Sequence, residues 1–233
     1  MEKRKSCYLF YFFTVTAILL LTQWGSRAVT VIAENTPIAQ EHCIIIDPGH
    51  GGEDGGATSC TGKLESAYNL EISLRLNDLF HLLGYDTKIT RTTDTSIYTK
   101  GETIAQKKVS DLKERVRIVN EAENALLLSI HQNNFSDSRY SGAQVFYSET
   151  DGSELLARQL QNNFVSTLNP GSNRKGKKSG GLYLMDHINC TGVLIECGFL
   201  SNVEEEARLR NGDYQKKLCC VIAATVSEYL SNT

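Results

Sequence analysis

Apolar and polar positions divide this chain into two regimes. Cys7 to Leu21 is apolar except for Thr14 and Thr16, and it follows the charged stretch Glu2-Lys3-Arg4-Lys5. A positive flank ahead of a short apolar run is the pattern of a secretory signal. Extension through Trp24 approaches the roughly 20 residues of a spanning helix, with an aromatic interfacial anchor. Residues 1–33 are read as a signal peptide or signal-anchor, and residues 34–41 (ENTPIAQE) as a polar linker. Residues 42–233 show no second linker, repeat or low-complexity stretch, so they form one domain.

Inside that domain the pattern alternates between periods. Cys43–Ile46, Tyr85–Thr90, Ala125–Ile130, Ala143–Tyr147, Leu182–Met185 and Val193–Ile195 read as short strands. Ser66–Leu83 places Ile72, Leu76, Leu79, Phe80 and Leu83 on one helical face and stops at Gly84. Ser110–Ala122 reads as a charged amphipathic helix with Ser110 or Asp111 as N-cap. Ser153–Leu168 and Tyr214–Leu230 are further helices. Continuous apolar strands alternating with helices predict an α/β fold. Its mostly parallel or mixed central sheet is covered on both faces, with ligands beyond the carboxyl ends of the strands.

Composition changes the picture only slightly. A net charge of −3 gives no basic face for nucleic acid. Seven cysteines without C-x-x-C spacing do not make a disulfide scaffold in a chain of 233 residues. Cys43, Cys197, Cys219 and Cys220 lie in apolar runs and read as buried thiols.

The candidate chemistry lies at strand ends. The first strand runs into Asp47-Pro48-Gly49-His50, the third into His131, and the last into Glu196; Glu65 stands at the entry to the first long helix. Two imidazoles and a carboxylate suit Zn²⁺ with an open position, and a second carboxylate suits proton transfer. Glu196 interrupts an apolar run, where a carboxylate needs a partner. His42, His81 and His187 read as ordinary polar residues. The glycines from Gly49 to Gly56 match neither G-x-G-x-x-G nor a P-loop, and they read as room for close backbone approach. No G-x-S-x-G and no H-E-x-x-H occurs.

These residues resemble the zinc-dependent N-acetylmuramoyl-L-alanine amidases that cleave bacterial peptidoglycan. Ile45–Gly52 is similar to the first signature of that family, and Glu65 with Asn69-Leu70 to the second. Thr90–Asp94, Leu112–Val116 with Asn120, Ser129–Asn133 and Leu194–Asn202 follow in order. The resemblance implies one Zn²⁺ held by His50, Glu65 and His131, with Glu196 as general base and then acid. Asp47 and Asn133 would orient ligands, and Arg91 and Arg115 would bind substrate or fix nearby carboxylates. The basic loop Pro170–Gly181 reads as solvated or as a contact for stem-peptide carboxylates.

The chain departs from common members in lacking wall-binding repeats and in carrying a polar insert between Asp94 and Leu112. It most resembles the sporulation branch, which implies action on spore cortex before muramic-δ-lactam forms. An exported enzyme is expected, secreted or held to the membrane by its N-terminal segment in the wall or spore envelope. The resemblance also implies an accessory protein or lipoprotein as activator. Two rival readings are a zinc peptidase acting on the stem peptide and a non-catalytic wall-binding domain.

Overall fold

A computed structural model describes residues 41–233. The signal or anchor expected at 1–33, and the linker up to residue 40, lie outside the described residues.

Six strands form one mixed sheet: β1 (Cys43–Pro48), β2 (Asp86–Ile89), β3 (Ala125–Asn133), β4 (Gln144–Tyr147), β5 (Lys177–Lys178) and β6 (Thr191–Phe199). Their spatial order is β2-β1-β3-β6-β4-β5. β2, β1, β3 and β6 run parallel, while β4 is antiparallel to β6. The central strands are apolar on both faces because both are covered. Ile44, Ile46, Leu128, Ile130, Val193 and Ile195 face one layer of helices. That layer comprises α1 (Glu65–Leu82), α3 (Ser153–Thr167) and α6 (Gly212–Ser231), which contribute Ile72, Phe80, Phe164 and Ile222 to the same core. Ile45, Leu127 and Leu194 face the other way, onto Val119 of α2 (Ile104–Asn120) and Leu184 and Met185 of α4 (Tyr183–His187). Among the described residues no helix is long and apolar enough to cross a membrane.

Three local expectations are corrected, and one helix joins those read from the sequence. First, α2 begins at Ile104 rather than Ser110. Thr103 and Gln106 form a reciprocal capping box there, but Ile104 and Val109 face solvent, so the apolar period gives no warning of the first turns. Ser110 and Asp111 cap the preceding loop instead, accepting from the backbone N–H of Thr99 and Ile97. Second, Leu182–Met185 is not a strand. Tyr183–His187 is a short helix, and a four-residue apolar run carries no period that separates the two. The added helix, α5 (Val203–Arg210), is hidden in a polar stretch, capped by the side chain of Asn202 on the N–H groups of Glu204 and Glu205. Finally, Cys220 is exposed, because α6 turns it away from the face that buries Cys219.

Candidate metal centre and active site

The parallel register assembles the site. Pro48 pairs with Ile130 and His131 with Glu196, so the ends of β1, β3 and β6 lie side by side. A register shift between His131 and Asn133 bends the strand just beyond the site. His50 lies on the loop after β1 with φ of 60°, a backbone conformation that a non-glycine residue holds only when its surroundings impose it.

Those surroundings are two buried arginines. Arg115 donates to Asp47 Oδ1 at 2.5 Å, to the Pro48 carbonyl at 2.9 Å and to the His50 carbonyl at 2.8 Å, and its Nε reaches Asp111 at 2.7 Å. Arg91 donates to the carbonyls of Pro48, Gly49, Ser66 and Thr93. Their donors are spent on the protein's own loop. Asp47 also accepts from Thr90 and Ser129. Burial opposes its ionisation, but the Arg115 guanidinium and the Thr90 hydroxyl hold its carboxyl below the usual range.

Glu65 opens α1 and meets both imidazoles. Its Oε1 lies 3.0 Å from His131 Nδ1, and its Oε2 lies 3.3 Å from His50 Nε2. One donor atom from each residue falls within 4.8 Å of the others. Burial pushes the Glu65 carboxyl up, yet hydrogen bonds from His131 and His50 hold it well below its ordinary value. Backbone N–H groups of Ala57 and Gln132 and the amide of Asn69 hold the carboxylate in place.

The sequence did not single out Asp54. Its Oδ2 lies 3.0 Å from His50 Nδ1. A carboxylate only accepts, so Nδ1 donates to Asp54, which leaves Nε2 as the ring nitrogen turned toward the cluster. A carboxylate four residues on in a glycine-rich turn is too common a pattern to have marked it. Asn133 joins Leu200 through its carbonyl, and it is Gln132 that contacts Glu65 and Asn69.

Two glycines leave room for the clustered side chains themselves. A Cβ on Gly49 would lie 2.2 Å from His131 Nε2. A Cβ on Gly56, where φ is 68°, would lie 2.6 Å from Glu65 Oε2.

Glu196 faces this cluster from β6. Its Oε2 is buried and has no hydrogen-bond partner, which is costly unless the site uses it. Burial, with the Glu65 charge behind it, pushes the Glu196 carboxyl up to about 7 against the pull of the two imidazoles. Two neutral-capable imidazoles, a buried carboxylate and an orphaned carboxylate oxygen beside them fit a divalent cation with one open position. In the basic loop, Lys177-Lys178 forms β5, and Lys178 pairs with Glu149 at 2.6 Å, away from the cluster.

Comparison with known proteins agrees. A family model described as N-acetylmuramoyl-L-alanine amidase matches residues 44–228. A germination-specific N-acetylmuramoyl-L-alanine amidase of Bacillus subtilis is 37% identical over 191 residues, covering 81% of this chain and 79% of the relative. The CwlD amidase of Clostridioides difficile, solved in complex with the GerS lipoprotein, superposes with a TM-score of 0.78 at 36% identity over 82% of this chain and all of that one. An amidase from Clostridium difficile 630 gives a TM-score of 0.70 at 32% identity, over 82% of this chain and 97% of that one. With its fold, its cluster and these likenesses taken together, the chain belongs to the N-acetylmuramoyl-L-alanine amidases, which cleave the amide between N-acetylmuramic acid and L-alanine in peptidoglycan.

Proposed function

We propose that His50, Glu65 and His131 hold one Zn²⁺ and that Glu196 carries the proton in this cleavage. The observation that carries the reading is the buried, unpartnered Glu196 Oε2 facing a His-Glu-His cluster. A bound zinc ion supplies Lewis acidity toward the lactyl carbonyl and lowers the pKa of water. Glu196 Oε2 takes the proton of the attacking water, and the same oxygen returns it to the departing L-alanine nitrogen. Asp54 holds His50 in one tautomer, and Glu65 spans both imidazoles. Arg115 and Arg91 act on the loop backbone and Asp47 anchors Arg115, so their role is positioning.

The place of action is the spore cortex. The germination-specific Bacillus relative supports this. Residues 1–33 direct export and residues 34–41 link them to the catalytic domain. The complex of the Clostridioides relative with a lipoprotein supports an accessory partner for this chain as well.

The test is to digest purified peptidoglycan and measure zinc in the same preparation, for wild type and His131→Ala. New L-alanine amino termini and about one zinc per chain are expected for wild type, both lost in the variant. Peptide-bond products with intact muramoyl-alanine would favour a stem peptidase instead.

A further inference from the structure

The cleft above the His50–Glu65–His131 cluster has two unlike walls. One carries the charged groups described above. The other is apolar, built from Leu112, Leu194 and the short helix α4. Tyr183 opens that helix, lines the cleft and is half-buried.

Its surroundings hold the ring in one pose. The imidazole of His187, one turn on, stacks against it with centroids 4.0 Å apart and planes 20° from parallel. His187 Nδ1 donates to the Tyr183 carbonyl at 2.8 Å, which fixes the imidazole in turn. The side chain of Asn120, the last residue of α2, clamps the helix exit. It donates to the His187 carbonyl at 3.0 Å and accepts from the Asn189 N–H at 3.0 Å. Ahead of the helix stand Gly180 and Gly181, where an added Cβ would meet nothing within 4 Å. The ring is therefore set from its C-terminal side and left clear on its N-terminal side.

We propose that Tyr183 is the platform on which the muramic acid ring rests during cleavage, with His187 and Asn120 as its positioning residues. The inference rests on the amidase reading. The sugar is joined through one lactyl ether to the carbonyl that is cut, so its ring must lie beside the metal cluster. A pyranose presents an apolar C–H face, and the flat face of a tyrosine matches it while the hydroxyl stays in water. One face of this ring is covered by His187, so the cleft receives the other face and the edge. The enclosed space of about 260 Å³ is below the usual range for a pocket that engulfs its ligand, which suits a polymer segment lying across the site.

The test uses the full chain and two substrates: N-acetylmuramyl-L-alanyl-D-isoglutamine, and the same dipeptide acylated by D-lactate without the sugar. Hydrolysis is followed on each. Affinity for each is measured separately by NMR titration in a Glu196→Ala background. Tyr183→Ala is expected to raise KM and Kd for the muramyl substrate about tenfold, with kcat within about twofold. Tyr183→Phe restores both constants, and Tyr183→Leu does not. On the sugar-free substrate the same substitutions shift KM and Kd by less than about twofold, so losing the ring and losing the sugar are non-additive. Equal losses on both substrates, no loss on either, or rescue by leucine would overturn the platform. If the wild type hydrolyses neither substrate but the sugar-dependent loss of affinity persists, the amidase reading falls and the platform stands.

Discussion

His131 and Glu196 are register partners on the adjacent parallel strands β3 and β6. Register partners point to the same face of a sheet, so the imidazole that meets Glu65 and the carboxylate with a bare oxygen share one side of the site. Side chains alternate along a strand, so a slip of one residue would separate them to opposite faces. This alignment sets Glu196 beside the group that Glu65 gathers by meeting both His131 and His50.

Replacing Glu196 by Gln keeps the shape and removes the proposed proton carrier. Turnover of purified peptidoglycan is expected to fall by about 10²–10⁴-fold. Zinc content and Tm are expected to hold or rise, since a buried carboxylate with an unpaired oxygen is relieved. Metal analysis and thermal unfolding on the same samples check this.

Glu196 also sets a pH dependence in the metal-free protein. Its carboxyl is raised from 4.5 to about 7 by burial and by Glu65. A folded value above the unfolded one gives a contribution that is complete below pH 4.5 and lost as pH rises through 7. Wild type should therefore lose stability relative to Glu196→Gln between pH 5 and 8, on the order of 3 kcal/mol at most. Denaturant unfolding in the presence of a chelator reads the difference, and parallel curves for the two proteins would contradict it.

Asp47 behaves in the opposite sense. Its carboxyl is held below 3.8 despite burial, chiefly by Arg115. That contribution is present above pH 3.8 and lost as pH falls through the lower folded value. Arg115→Met leaves Asp47 buried and unpaired, at a cost of about 3–5 kcal/mol. A fall in Tm of about 10 °C is expected, partly recovered in the double variant with Asp47→Asn.

Asp54→Asn tests the carboxylate behind His50. The amide accepts a weaker hydrogen bond from Nδ1, so zinc affinity should drop by about 10–100-fold with little change in Tm. Competition with a chromogenic chelator measures it. Unchanged affinity would remove Asp54 from the site.

Gly49→Ala asks whether the proposed ligands need bare backbone. The new Cβ would stand 2.2 Å from His131 Nε2, so the ring must move. A displacement near 1 Å costs about 100-fold in turnover, and zinc affinity should fall with it. Gly180→Ala, which meets nothing, serves as the control of equal chemistry.

Much of this was legible along the chain. Ile44–Ile46, Leu126–Ile130 and Val193–Ile195 announced buried strands, and the polar residues that end them marked where a ligand could gather. Asp54 was not legible, because a carboxylate in a glycine turn is ordinary until an imidazole lies beside it. Arg91 and Arg115 were ambiguous for a related reason. A guanidinium serves substrate or backbone equally well, and only burial against the carbonyls of Pro48, Gly49 and His50 decides for backbone.

Local order alone determined the strand cores, the long helices and the types of residue available for metal chemistry, since hydrophobic period and side-chain chemistry are properties of the chain itself. The tertiary structure decided which of them meet. His131 and Glu196 are 65 positions apart, and their pairing rests on the long-range register of β3 against β6. The helical state of Tyr183–His187 was likewise decided by packing, as Leu184 and Met185 fill the core beneath while Asn120 closes the exit.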